Sequence, residues 1–334
     1  NGLNEWCRRC LFTSIPNLDD WELPPSLTSL ENCFYDLPWW NDSVASWDVS
    51  YVSSFLNMFY LCREFVNGGN DFDSWEVGKN VNGDLNFEAM FFYCDSMVDQ
   101  KIWKQDLNLV NINFINTKDM FRNCEKWKLA LEDWDNTSVK INNIERMFYA
   151  TGSYYNGANN RPFTDDGIKT DFFGWDFNTN KTSLEGLFES ATFDATFNAN
   201  LDGHTATNIT NFNNMFASTF LCSPSSVDNW VLGTTPNISM RYTFSGRSFN
   251  ANERRGLDWK GTYGSVQSVD GWDVENVIDF EGCFNSAQFN NGPNDCKPIL
   301  GSWTICTDPA VTVSLSKMFR NSQFNDTLVN DSIK

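Results

Sequence analysis

The sequence predicts a right-handed α/β solenoid of about ten coils, with a parallel β-sheet and short helical or turn returns. A phenylalanine, usually preceded by Met, Leu or Cys, recurs at intervals of 25 to 40 residues. In nearly every repeat a tryptophan precedes it by 12 to 18 residues, and another large residue follows it five or six positions later. A repeat of this length cannot bury its apolar residues alone, so neighbouring coils must stack.

Two columns of aromatic residues define the repeats. The repeat phenylalanines are Phe34, Phe59, Phe91, Phe121, Phe148, Phe188, Phe216, Phe244, Phe284 and Phe319. The repeat tryptophans are Trp21, Trp47, Trp75, Trp103, Trp134, Trp175, Trp230, Trp272 and Trp303, and His204 stands in the remaining slot. Because the residue types recur at fixed positions, we expect both columns to form the packed interior rather than a ligand site.

Each repeat combines two hydrophobic periods. Around Trp47, the alternation of buried and outward positions indicates a short strand in which Trp47 and Val49 face inward. The following segment, from Val52 to Cys62, places its apolar residues on one side of a helix. The segment is short, so a run of tight turns is an equally good interpretation.

Composition excludes several functional classes. The chain of 334 residues carries a net charge of −19, which disfavours nucleic acid and anionic membranes as partners. It has a single histidine, His204, so a multi-histidine metal site cannot form. The densest apolar run, residues 90–94, is too short for a membrane span. We expect a protein that is not an enzyme and has no resident cofactor.

Residues 47–52, Trp-Asp-Val-Ser-Tyr-Val, followed by Met58–Phe59 and Phe65, resemble the repeat of BspA-like proteins and mycoplasma-type lipoproteins. That unit of roughly 25 residues reads WDVSxVxxMxxMFxxAxxFNxxL and belongs with the leucine-rich repeats. Residues 272–284 and 318–328 resemble it as well. The resemblance implies a leucine-rich-repeat-like solenoid, displayed on a cell surface in an adhesive or structural role. It supplies no catalytic residues.

The resemblance covers about residues 18–331 and suggests the domain organisation. We expect an N-terminal cap at 1–17 and a single repeat domain at 18–334. Insertions lengthen this domain near 151–172, 250–268 and 291–300. The C-terminal coil shows no obvious cap, so we expect other protein subunits, like or unlike, to cover it.

The ten cysteines have two predicted uses. Cys62, Cys94 and Cys124 each lie three residues after a repeat phenylalanine, where they are either buried thiols or paired neighbours. Other cysteines could form disulfide bonds that hold the N-terminal cap or close a loop around Trp303. The disulfide candidates are Cys7, Cys10, Cys33, Cys296 and Cys306. Ten cysteines without a zinc pattern favour an oxidising compartment.

An acidic row is predicted on the outside of the tryptophan segment. Glu22, Asp48 and Glu76 follow inward tryptophans and must point outward. They form either a solvated face with local turn hydrogen bonds, or a strip that binds Ca²⁺ or a basic partner. The sequence has no compact calcium loop.

Trp40 and Trp127 occupy the large position six residues after a repeat phenylalanine, which leaves three tryptophans outside the repeat pattern. These three, Trp6, Trp39 and Trp259, are therefore candidates for contact with a protein or a glycan. The glycosylation candidates are Asn41, Asn136, Asn180, Asn208, Asn237, Asn325 and Asn330. The sequence has 42 Asn and 52 Ser or Thr residues, which yield about this many sequons by chance, so these sites do not argue for secretion.

Taken together, the patterns predict a secreted or surface-displayed structural or adhesion protein that mediates protein–protein contacts, including as a subunit of an extracellular filament or shell. The alternative is a glycan- or ligand-binding module that uses exposed tryptophans and the insertion loops. We expect no insertion into the membrane. The expected location is extracellular or at a cell surface, virion surfaces included.

Overall fold

The computed structural model describes most of the repeats. The residues it describes are 3, 5–10, 13–15, 18–98, 101–102, 109–128, 131, 134–152, 168–193, 199–219, 227, 229–246, 269, 271–287, 303–306 and 308–322. The chain forms two compact units. The first unit comprises 1–155 with 166–170, and the second comprises 156–165 with 171–334.

Parallel strand pairing joins successive repeats of the first unit. Strands β1 (Gly83–Asn86), β2 (Ile112–Asn116) and β3 (Ile141–Asn143) form one sheet in that order. Single parallel bridges extend the pairing from Asn86 back to Ser54 and Ser29. The described helices are α1 (Asp135–Lys140) and short 3-10 turns at Leu18–Asp20, Asn67–Gly69 and Leu109–Asn111.

The second unit shows the same kind of pairing. Strands β4 (Thr205–Ala206) and β5 (Val231–Leu232) are parallel, as are β6 (Ile238–Ser239) and β7 (Val277–Asp279). In both units the recurring paired position lies five residues before a repeat phenylalanine, as at Ser239 and Asp279. The fold is therefore mixed, with short parallel strands and few helices.

The strand that we predicted at the tryptophan segment is mostly absent from the described repeats. Only β4 and β5 begin directly after the slot, at His204 and Trp230. The alternation itself is correct, because Trp47 and Val49 are buried while Asp48 is exposed. The repeats are joined here through a side chain instead of a continuous backbone ladder.

Five indoles each donate their Nε1–H to a backbone carbonyl of the preceding repeat. In every case the acceptor residue lies three positions before the Trp or His that fills the tryptophan slot of that preceding repeat. The donor–acceptor distances are 3.0 Å for Trp47 to Leu18, 3.0 Å for Trp75 to Val44, 2.7 Å for Trp230 to Leu201, 2.7 Å for Trp272 to Val227, and 2.8 Å for Trp303 to Val269. These bonds satisfy a buried donor and a buried carbonyl together, which allows the indoles to be fully enclosed.

The repeat phenylalanines stack with nearly parallel rings, which confirms the predicted packed interior. One stack runs from Phe34 to Phe148 and the other from Phe188 to Phe319. Neighbouring centroids lie 5.5 to 6.0 Å apart, and the ring planes differ by 2° to 18°. Such offset stacks add to the large apolar area that each ring buries.

The return segments around the repeat phenylalanines are runs of tight turns. Near Phe59, residues Asn57 and Leu61 have positive φ, 53° and 61°. The amide of Cys62 bonds back to Phe59, while the amide of Phe59 bonds forward to Met90 in the next repeat. An α-helix would direct these amides to its own carbonyls and leave none to join the repeats. Of our two interpretations, the turns are therefore correct.

The start of the chain follows the same pattern. The amides of Cys7 and Arg9 donate to the carbonyls of Cys33 and Tyr35, at 3.0 and 2.9 Å. Glu5 and Arg9 have positive φ, as do the residues that flank other repeat phenylalanines. Cys7 thus lies in the phenylalanine slot of this pattern. The cap boundary at residue 17 stays a prediction.

Candidate interaction surfaces

Two of the three predicted contact tryptophans are exposed. Trp39 is 63% exposed, although its neighbour Trp40 is buried and stacks on Phe34. Trp6 is 41% exposed and meets Trp21 edge-on, with centroids 4.7 Å apart. Trp259 lies outside the described residues. Contact with a partner stays a prediction for all three.

Two of the three residues in the acidic row, Asp48 and Glu76, form local bonds. Glu22, Asp48 and Glu76 are all exposed, as the alternation predicted. Asp48 accepts hydrogen bonds from Ser50, which lower the pKa of its carboxyl, and Glu76 pairs with Lys79 at 2.6 Å. No three His, Cys, Asp or Glu side chains of the described chain come together as a metal site. The structure therefore supports turn bonding and gives no support to a calcium strip.

The predicted disulfide staple of the cap is wrong. Cys7, Cys10 and Cys33 are free thiols, and Cys306 is free as well, whereas Cys296 lies outside the described residues. The physical reason is that Cys7 and Cys33 serve as packing residues: both are buried, and burial raises the pKa of the Cys7 thiol to about 12. The thiol form is thus favoured over the reactive thiolate.

Three further cysteines act as buried hydrogen-bond donors. Each thiol lies close to the carbonyl oxygen of the phenylalanine in the preceding repeat. The distances are 2.8 Å from Cys62 to Phe34, 3.2 Å from Cys94 to Phe59, and 2.9 Å from Cys124 to Phe91. In later repeats the hydroxyls of Thr151 and Thr219 donate to the equivalent carbonyls. The slot therefore holds a small donor, and the cysteines occupy it as free thiols.

The described sequons differ in their surroundings. Asn180, Asn208 and Asn237 are exposed. Asn41 is partly buried, and its Oδ1 accepts bonds from the amides of Val66 and Gly68 at 2.7 and 3.1 Å. The backbone of Asn136 lies in α1, and Asn325 and Asn330 lie outside the described residues. Glycan occupancy stays a prediction at every site.

His204 replaces a tryptophan in the interior. The residue is 7% exposed, and its ring packs edge-on against Phe177 and Trp230, with centroids 4.8 and 5.2 Å away. Nε2 lies 3.0 Å from the carbonyl of Asn200, which fits a neutral ring that donates there. Burial lowers the pKa of His204, while the Asn200 bond and the charge of Asp202 oppose the shift.

Below the pKa of an unfolded histidine, about 6.5, we expect His204 to destabilise the fold. Its pKa is lowered in the folded state, so the unfolded chain binds more protons as the pH falls, and unfolding becomes easier. Chemical denaturation at pH 7.5 and 5.0 measures this. Between these two pH values, His204→Phe should lose less stability than the wild type. The carboxylates contribute equally to both proteins, so the difference reports on His204. Identical losses would contradict the prediction.

A lysine is also buried, which the sequence did not predict. Lys181 is 1% exposed, and its ammonium donates to the carbonyl of Thr179 at 3.1 Å. Burial lowers the pKa of its amine to about 8, and the charge of Asp176 opposes this shift. The group therefore remains mainly protonated at neutral pH.

Sequence reasoning missed a continuous outward stack in the first unit. The turn stripe consists of Arg8, Tyr35, Tyr60, Phe92, Arg122 and Tyr149, each one residue after the phenylalanine slot. Tyr35 stacks on Tyr60 at 4.7 Å, and Tyr60 stacks on Phe92 at 4.5 Å. The guanidinium of Arg122 lies over Phe92 and over Tyr149. The signal in the sequence was an aromatic residue directly after four of the first five repeat phenylalanines, with Arg122 after the other.

Buried aromatic columns, repeated turns and parallel pairing define this chain as a repeat protein. A model of the family described as "Mycoplasma protein of unknown function, DUF285" matches residues 5–111, 80–174, 116–256 and 260–333, so the chain belongs to that family. BspA-like repeat proteins are in this group. No curated protein and no solved structure matches the chain. None of the described helices is sufficiently long and apolar to cross a membrane.

Proposed function

We propose that the protein is a non-enzymatic repeat protein, secreted or displayed at a cell surface, that mediates adhesion or assembly through protein contacts. In this proposal the repeats of each unit continue as a right-handed, leucine-rich-repeat-like solenoid. Extended assemblies of this type offer many outward positions on a rigid interior.

The observation that carries the proposal is the use of the aromatic side chains in packing. The repeat phenylalanines stack on one another, and five indoles each bond to the preceding repeat. The single histidine is buried between Phe177 and Trp230. These groups stabilise the interior, while the outward positions carry the residues that a partner can reach.

Location is the sharpest test of this proposal. Antibody against the chain should label intact cells of the native source, and external protease should remove the label without permeabilisation. A cytosolic protein serves as the control and should be labelled only after permeabilisation. Labelling of the chain that also requires permeabilisation would reject the proposal.

A glycan-binding module is the second candidate function, and the 63% exposure of Trp39 favours it. Exposed indoles offer a flat apolar face on which a sugar ring can pack. In a glycan array, Trp39→Ala should abolish any bound signal. Phe173→Ala is the matched control because Phe173 is an exposed aromatic residue, at 81%, in the other unit. Equal signals from both variants would remove this candidate.

A further inference from the structure

We propose that the turn stripe is a self-association surface, which binds the turn stripe of a second copy of this chain. The inference deepens the proposed function and rests on its claim that the protein works through protein contacts. It identifies both the surface and the partner.

The stripe is continuous across five successive repeats and the N-terminal segment. Its aromatic rings are half-buried, so their edges remain accessible while their faces stack. Arg8 closes one end, 4.9 Å from the ring of Tyr35. At the other end the guanidinium of Arg122 lies 5.3 Å from Phe92 and 4.4 Å from Tyr149. Tyrosine and arginine are enriched at the energetic centres of protein interfaces.

The fold does not require aromatic residues at these positions. The second unit forms the same turns, in which the amides of Phe188 and Phe216 bond to the next repeat at 2.9 and 3.0 Å. The residues that follow its repeat phenylalanines are Glu189, Ala217, Ser245, Asn285 and Arg320. The same turns therefore accept small and polar residues, and the aromatic series of the first unit needs a reason beyond the fold.

Charge singles out the stripe as the place where two copies can approach. The chain carries a net charge of −19, so copies repel over most orientations. All five arginines of residues 1–155 lie along these turns, and each forms an ion pair there. The ion pairs are Arg8–Glu5, Arg9–Asp36, Arg63–Asp95, Arg122–Asp119 and Arg146–Asp119. A cationic partner would instead favour the acidic row.

Spacing also fits a second copy. Successive rings Tyr35, Tyr60 and Phe92 are 4.7 and 4.5 Å apart, and another copy presents the same interval. Two stripes related by a twofold axis therefore keep the same register along their length. Such an isologous contact uses one patch on both chains and closes after two copies.

Sedimentation equilibrium of the full chain, from about 1 to 200 μM, tests the inference. We expect a wild-type dimer, with association strengthened when salt screens the net charge. The variant Tyr60→Ala with Phe92→Ser carries residues that the second unit accepts, and its dissociation constant should rise by roughly 30-fold or more. Phe173→Ser should leave it unchanged. Arg8→Glu, at an exposed position, weakens the dimer without touching the interior.

Several outcomes would overturn the inference. A wild-type chain that is monomeric at all concentrations would do so, and so would a dissociation constant that the stripe variants leave unchanged. Loss of glycan-array binding in stripe variants of a monomeric chain would assign the surface to a glycan instead. A monomer that labels intact cells rejects only this inference, whereas a dimer found only inside cells rejects only the proposed function.

Discussion

Phe91→Ala is expected to lower the free energy of unfolding by about 3 to 5 kcal/mol. Phe91 is fully buried and lies between Phe59 and Phe121 in the first stack, with centroids 5.5 and 5.8 Å away. Phe72 and Trp127 contact it from the side, at 5.6 and 5.8 Å. Removal of the ring leaves a cavity that four rigid aromatic neighbours cannot fill.

Urea denaturation of wild type and variant measures this effect, with the slope of each transition compared as a check on cooperativity. Phe173→Ala removes the same side chain from a position that is 81% exposed, and should change stability by less than about 0.5 kcal/mol. Phe91→Leu should fall between the two. Equal effects of Phe91→Ala and Phe173→Ala would mean that the ring is not part of a packed stack.

The phenylalanine and tryptophan columns could be predicted because the interior repeats with the chain. Each repeat must present the same shape to its neighbour, so the same residue type returns at the same slot, as at Phe59 and Phe91. The bond from the Trp75 indole to Val44 could not be predicted. It depends on the direction of a carbonyl, which the spacing of apolar residues does not encode.

The turns could not be distinguished from a helix for a definite reason. A position with positive φ is usually occupied by glycine. Two repeats do have glycine at the position two residues before the phenylalanine, Gly186 and Gly282. Other repeats place Ala89, Arg146 and Tyr242 at the same position, with φ of 52°, 52° and 55°. The amides that bond to the next repeat stabilise these conformations, and this tertiary contribution is invisible in a local pattern.

The cysteines show a similar limit. An even number of cysteines suggested bridges, but the structure shows donors and packing residues, and Cys7 occupies a phenylalanine slot. The cysteines three residues after the phenylalanine were predicted to be either buried thiols or paired neighbours. The role of this slot as a donor emerges only when Thr151 and Cys124 are seen to bond to equivalent carbonyls.

Because three of its thiols are buried, the first unit should lose stability steeply as the pH becomes alkaline. Burial holds the pKa values of the Cys62, Cys94 and Cys124 thiols well above their usual range, whereas an unfolded thiol has a pKa of about 8.5. Above that pH the unfolded chain releases protons that the folded chain retains. Stability is therefore fully present below pH 8.5 or so and falls as the pH rises, by about 1.4 kcal/mol per pH unit for each thiol.

Substitution of all three cysteines by threonine should make this alkaline loss shallower by about 4 kcal/mol per pH unit, measured by denaturation between about pH 9.5 and 10.5. Threonine keeps a donor for the same carbonyl, as Thr151 and Thr219 do, so stability at pH 7 should change much less. Each single substitution should remove about a third of the slope.

The matching alanine variants separate the thiol proton from the hydrogen bond. Alanine occupies the equivalent slot at Ala191 and Ala287, so it fits sterically. It should flatten the alkaline loss as threonine does, but it should also cost about 1 to 3 kcal/mol per site at pH 7, because a buried carbonyl loses its donor. A threonine variant whose alkaline slope equals that of the wild type would show that these thiols titrate alike in both states.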